Sequence, residues 1–332
     1  MSKLPPELPI IRVQQFDTAK RAYSLILNLE SELTKQEDLV RCRIVGYLLH
    51  HAPTDRAIAR VVDEIVGCSR REEAYSRILE IGGGYLDCFI RLFRNSRRRT
   101  GIPSNHAESR PSLDLRADRT DDALKRDGYR YMITGAFDTT ACEQLPQVLA
   151  KSTEEPGCRY SRTECSHILP EVMTRNRGVD NDAGKEFGYN HILQELNGDR
   201  VNRLENVMTL AKDVHSDFDA LAIWLVPSDD PNAEPNTYKL ESSLPFLLQA
   251  YPRVVRFQSS DPGNLPLPSP RYLEIHASCA KIAHLSGANV YVDGVMRDCE
   301  DLAVLADDGS SAELLKHLLI QTRPREVESD YS

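Results

Sequence analysis

The stretch VNRLENVMTLAKDVHSDFDALAIWLVP, residues 201–227, decides how this chain is read. Its last seven residues, LAIWLVP, form an apolar run of strand length. NTYKLE, residues 236–241, follows an Asp/Pro-rich turn and reads as the hairpin partner of that strand. Ahead of it, DVHSDFD, residues 213–219, reads as a helix. His215 and Asp219 stand four apart and therefore share one helix face. Asn206 lies in the turn ENVMTL, nine residues before His215.

Working outward, TECSHILPE reads as a short strand that ends at Pro170 and carries His167. GYRYMITG, residues 128–135, alternates Tyr129, Tyr131 and Ile133 and reads as a further strand stopped by Gly135. Residues 175–187 read as a polar loop, and 188–197 as a short helix ending at Gly198. The predicted local order is strand, short strand, loop, short helix, Asn-containing turn, His-containing helix and hairpin.

The flanks differ from this centre. Residues 18–93 carry helical apolar spacing. One run extends to Pro53, and a second, DRAIARVVDEIVGCS, places Ile58, Val61, Val62, Ile65 and Val66 on one stripe. A third starts near Glu73 and is expected to break at Gly82–Gly84, which lack the strand and the Lys-Ser/Thr ending of a phosphate loop. RYLEIHASCAKIAHLSG returns to helix with Gly287 as a C-terminal cap, and SSAELLKHLLIQ starts on a capping box, Ser310 with Glu313. The predicted organisation is an N-terminal helical region, 1–95; a basic linker or arm, 96–118; a core, 119–245; and a C-terminal helical region with an acidic tail, 246–332. The fold class is α+β.

Composition bounds the function. The 332 residues are 41% hydrophobic and 27% charged, a globular balance. No run approaches the ~18 apolar residues of a membrane span, and the first residues lack a basic-then-apolar leader, so an intracellular location, nuclear or cytoplasmic, is expected. The eight cysteines are scattered without a CxxC pair and read as free thiols. The formal net charge of −9 argues at first against a nucleic-acid partner. It is a sum over unlike parts: residues 91–130 hold eleven Lys/Arg and six Asp/Glu, whereas 126–225 hold eleven and sixteen. Arg97, Arg98 and Arg99 lie in the basic part, as a solvated patch or as a phosphate-contacting arm.

The chemistry rests on two histidines. An imidazole on a strand, facing a His-x3-Asp helix with an asparagine ordering the turn, suits a one-metal hydrolytic site. Cys165 reads as a packed thiol, His276 and His284 as residues set against core or solvent, His50 and His51 as helix-end cations, and Trp224 as packed in the hairpin.

The pieces GYRYMITG, CSHILP, NRLENVMTL, DVHSDFD and LAIWLVP, in this order, resemble an HNH endonuclease domain of the ββα-metal class. More narrowly they resemble the fungal HNH nuclease-domain proteins, and the likeness extends over most of residues 85–317. The resemblance implies a ββα-metal HNH core flanked by the two helical regions. It implies a metal-dependent endonuclease that hydrolyses phosphodiester bonds in DNA. His167 would be the base that activates water, and Asn206 the residue that pins the turn. His215 would be a metal ligand, with Asp219 either a second ligand or a helix-surface acid. The ion would be Mg2+, with Mn2+, Ni2+ or Zn2+ as alternatives. Ser166 stands where well-studied members place an acidic or histidine ligand, and a neutral hydroxyl holds Mg2+ weakly. Tyr131 stands where the fungal proteins usually show cysteine. The alternative function is a catalytically weak HNH-fold module that binds nucleic acid or protein.

Overall fold

The computed structural model describes residues 2–9, 16–94, 113–171, 173 and 190–301. Arg97, Arg98, Arg99, the polar loop 175–187, the capping box at Ser310 and the acidic tail lie outside the described residues.

Helix α1 (Phe16–Glu32) and helix α2 (Gln36–His51) replace the single run expected up to Pro53. The chain turns over residues 33–35 and α2 folds back on α1, so the apolar faces of both are buried in one layer. Every residue of α2 from Cys42 to Leu49 is buried, because α1, α3, α4 and a C-terminal helix surround it. Helix α3 (Asp55–Val66) starts at Thr54, whose hydroxyl accepts from the Ala57 N–H at 3.2 Å. It buries Ile58, Val61, Val62 and Ile65, the first four members of the expected stripe.

Helix α4 (Arg71–Tyr85) runs through Gly82–Gly84 without the expected break, then continues as a π-helical turn over Leu86–Ile90. The glycines serve close packing. A Cβ on Gly82 would lie 2.1 Å from the Arg41 carbonyl oxygen, so only a bare Cα lets α2 and α4 approach this closely.

Helix α5 (Leu113–Arg126) begins inside the stretch expected to be linker. GYRYMITG is not a strand. Gly128 and Tyr129 both adopt positive φ, 63° and 59°, and turn the chain. Tyr131, Met132 and Ile133 are then buried consecutively. Two short helices, α6 (Thr139–Gln144) and α7 (Pro146–Glu154), follow. Parallel strands β1 (Phe137–Asp138) and β2 (Tyr160–Ser161) bracket them.

Strand β3 (Thr163–His167) pairs antiparallel with β4 (Val207–Ala211), in the register His167↔Val207 to Thr163↔Ala211. Strand β4 was not expected: all five of its residues are buried, so its letters show no alternation. Between the strands lie helix α8 (Asn190–Glu195) and 3-10 turns at Gly198–Asn202 and Leu204–Asn206. Helix α9 (Lys212–Asp219) follows β4 directly and packs on both strands.

The expected hairpin is present as β5 (Ile223–Pro227) and β6 (Thr237–Ser242), with β7 (Val254–Arg256) as a third antiparallel strand. Trp224 packs in it, 5% exposed, and its indole N–H donates to Glu241 on the paired position at 2.9 Å. Helix α10 (Pro270–Ser286) ends at Gly287 in the left-handed region, φ 81°, as a C-cap requires. It packs on both α2 and β5. Helix α11 (Ala288–Asp301) follows. One hydrophobic cluster therefore runs from Leu4 through the N-terminal helices, the β3–β4 hairpin, β5 and α10 to Met296. Among the described residues no helix is long and apolar enough to cross a membrane.

Candidate functional site

The β3–β4 hairpin is held from below by an ion pair at the end of α5. Arg126 is fully buried and chelates Asp127, with Nε to Oδ1 at 2.6 Å and Nη2 to Oδ2 at 2.9 Å. The same guanidinium donates to the Leu204 and Val207 carbonyls at 2.8 and 3.0 Å. Asp127 in turn accepts from the Thr209 hydroxyl at 2.6 Å. A buried charge pair of this kind tolerates the loss of neither partner, so the start of β4 has one position.

Above it, the candidate residues fall into two groups. In the first, His167 closes β3 and its Nε2 lies 2.9 Å from Asn202 Oδ1. With that oxygen accepting, Nε2 carries the proton and Nδ1 carries the lone pair. Asn206 is fully buried and grips the segment after His167. Its Oδ1 accepts from the Leu169 N–H at 2.9 Å, and its Nδ2 donates to the Leu169 and Val201 carbonyls, both at 3.0 Å. Its main-chain carbonyl accepts from the Ile168 N–H at 2.8 Å. The Asn206 side chain thus spends itself on backbone, which fixes where β3 delivers His167.

In the second group, His215 and Asp219 do share a face of α9, and both are 7% exposed. His215 Nε2 lies 3.4 Å from Asp219 Oδ2. Its Nδ1 lies 2.9 Å from Glu164 Oε2 on β3. Burial lowers the basicity of the imidazole, but Asp219 and Glu164 outweigh it and hold the ring above its ordinary range. Ser166 is fully buried, and its hydroxyl has no hydrogen-bond partner among the described residues. Strand alternation sets it on the Glu164 face of β3.

Glu164 and Asn202 are the residues the sequence reading passed over. Glu164 had a signal, since it stands two residues before Ser166 and period two puts both on one face. Asn202 opens the quoted piece NRLENVMTL, but its meeting with His167 spans 35 residues and could be read only from the fold.

Among the described residues, no group of three or more His, Cys, Asp or Glu side chains is arranged to hold a metal ion. The site offers a pair instead. The 3.4 Å from His215 Nε2 to Asp219 Oδ2 exceeds an ordinary N–H···O hydrogen bond. It falls within the roughly 2.9–3.6 Å that separates neighbouring ligands of one ion whose bonds are about 2.0–2.2 Å long. Imidazole and carboxylate are fitting donors for a divalent ion.

Two other histidines, His276 and His50, have structural places. His276 on α10 is 1% exposed, stacks on Phe218 of α9 at 3.6 Å, and donates from Nε2 to the Phe218 carbonyl at 3.1 Å. Burial pulls its pKa down to about 3. His50 meets the Tyr23 hydroxyl at 2.9 Å. Cys165 packs beside Ala123, Leu204 and Val207, and seven cysteines are free thiols, the eighth, Cys299, lying outside the described side chains.

Residues 132–226 match the model of the HNH endonuclease family, a span that covers the β3–β4 hairpin, α9 and nearly all of β5. The chain thus carries an HNH-type domain. Neither the curated proteins nor the solved structures give a match.

Proposed function

We propose that the chain is a metal-dependent HNH endonuclease that hydrolyses phosphodiester bonds in DNA, with His167 as the base, and that it belongs with the fungal HNH nuclease-domain proteins. The observation that carries the reading is the fork of His215 Nε2 and Asp219 Oδ2 on a helix that follows directly from a β-hairpin bearing His167. These two side chains would hold the ion, and water and the substrate's phosphate would complete its shell. When bound, the ion supplies stabilisation of charge on the scissile phosphate and on the leaving oxygen. Asp219 beside Nε2 and Glu164 beside Nδ1 favour the protonated His215 ring, so acid would weaken the ring's hold on an ion.

The protein's own residues do the rest. Asn202 keeps the proton on His167 Nε2, so that Nδ1 is the atom that takes a proton from water. Asn206 keeps the 168–169 backbone still while it does so. Arg91, Arg94 and Arg126 are buried in ion pairs of their own, so with an acidic core the phosphate attraction would fall to Arg97, Arg98 and Arg99. DNA binding is therefore weak and falls steeply with salt.

A second reading, a nucleic-acid- or protein-binding module with little catalysis, draws on one observation. The position before His167 holds the buried Ser166 hydroxyl where a carboxylate or imidazole would strengthen the metal site. Nicking of supercoiled plasmid with Mg2+, Mn2+, Ni2+ and Zn2+ in turn separates the two. The endonuclease reading expects ion-dependent nicking that His167→Ala reduces at least 100-fold. Unchanged nicking in that variant, or none with any ion, leaves the binding module.

A further inference from the structure

We propose that Glu164 is the positioning residue of the His215 site, acting by holding the imidazole in the one tautomer and rotation that aim Nε2 at the ion. The inference rests on the metal reading above and adds to it a residue with a role of its own.

The geometry divides the two ring nitrogens. Nδ1 meets Glu164 Oε2 at 2.9 Å, an ordinary hydrogen-bond length, whereas Nε2 meets Asp219 Oδ2 at the longer 3.4 Å. A carboxylate accepts but does not donate, so Glu164 calls for a proton on Nδ1 and leaves the lone pair for Nε2. Rotation of an imidazole about its χ2 is broad and roughly two-fold. Without Glu164, the ring on α9 can turn Nδ1 away from the strand, and the Nε2–Asp219 fork is lost.

The placement is also asymmetric between elements. Asp219 travels with His215, because both are on α9. Glu164 is on β3, paired with Leu210 and three residues before His167. It therefore fixes the ring to the strand that carries the base, and not only to its own helix. Metal-bound histidines commonly donate their second N–H to a carboxylate in this way, and loss of that partner costs about 10–100-fold in metal affinity.

The test uses the full chain and Mn2+ as the calorimetric probe. Glu164→Ala is expected to weaken Mn2+ binding about 10–100-fold, with the far-UV CD spectrum unchanged. Glu164→Gln keeps an acceptor oxygen at the same reach and is expected to recover most of that loss. In chain labelled with 15N at histidine and loaded with Mg2+, the His215 ring, assigned by His215→Ala, is expected to carry its hydrogen on Nδ1. That signature is retained in Glu164→Gln and lost in Glu164→Ala. If Glu164→Ala fails to fold, Glu164→Gln and the ring spectrum still decide. Mn2+ affinity in Glu164→Ala within twofold of the parent, no recovery in Glu164→Gln, or hydrogen on Nε2 of the loaded parent overturns the proposal alone. An unsubstituted chain that binds no Mn2+, or His215→Ala that binds it as well, overturns the metal reading and this inference with it.

Discussion

Asn206→Ala removes three side-chain hydrogen bonds from a site with no exposure. Their three partners are main-chain groups: the Leu169 N–H and the Leu169 and Val201 carbonyls. An orphaned buried donor or acceptor costs about 1–3 kcal/mol. The N–H has a single hydrogen to place, so it sits toward the upper part of that range. Each carbonyl has a second lone pair and sits toward the lower. Since the three share one small volume, the costs are not additive, and about 3 kcal/mol is the expected total. For a chain of 332 residues, at about 2.1 cal/mol/K per residue, that corresponds to a Tm lower by roughly 4–5 °C. Asn206→Asp sharpens the test. It retains an acceptor for the Leu169 N–H but turns an oxygen toward the Leu169 and Val201 carbonyls, where Nδ2 now donates at 3.0 Å. It should melt below Asn206→Ala. Thermal unfolding followed by CD measures both. Plasmid nicking assayed well below the transition should also fall, because the freed 168–169 segment no longer fixes His167. An Asn206→Ala Tm within 1 °C of the parent, or an Asn206→Asp variant more stable than Asn206→Ala, would refute the assignment of the side chain as a backbone clamp.

Two further perturbations read other parts of the fold. His276 is neutral when folded, with a pKa near 3 against an unfolded value near 6.5. Its contribution is complete above pH 6.5 and is lost as pH falls toward 3, at about 1.4 kcal/mol per pH unit. Urea unfolding at pH 7 and pH 5 should therefore cost the parent about 2 kcal/mol more than His276→Gln, which keeps a donor that does not titrate; equal losses would remove His276 from the acid sensitivity. Gly82→Ala should destabilise by about 2 kcal/mol through overpacking against the Arg41 carbonyl. Gly83→Ala, whose new Cβ meets only the Arg41 side chain at 3.6 Å and beyond, should be neutral or gain up to about 1 kcal/mol from helix propensity. Equal Tm values for the pair would count against the packing role of Gly82.

The residues that were legible and those that were not differ for physical reasons. The β5–β6 hairpin was visible because an apolar run and a turn-flanked partner persist in the letters, and Gly287 because a C-cap needs positive φ. The His215–Asp219 pairing was visible because helical period alone places i and i+4 together. Strand β4 was hidden since burial on both faces erases alternation. GYRYMITG misled in the opposite sense: its alternation is real in the letters, but Gly128 and Tyr129 turn the backbone before a strand can extend. Gly82–Gly84 were read by their cost to an isolated helix, whereas the structure uses Gly82 for an approach between two helices that no local signal encodes. Of the site, Glu164 was recoverable from strand period, and Asn202 only from the fold.

The contact between Phe218 and His276 has a consequence for how far the HNH segment is portable. Helix α9 lies within residues 132–226, but its Phe218 ring is sandwiched with a side chain from α10, beyond that span. Arg94 holds the Ala220 carbonyl at the end of the same helix and is tied to Asp293 of α11. The Ser269 N–H, at the head of α10, donates to the Glu205 carbonyl at 2.8 Å, and Arg126, also outside the span, secures β4. The segment is therefore not a cassette that can be moved between hosts. Transplanted alone, it would carry its candidate donors without the two helical walls and the two arginines, Arg94 and Arg126, that hold them in register. Fusion or exchange of this nuclease-like unit would have to take the flanks with it, and natural recombination would meet the same constraint.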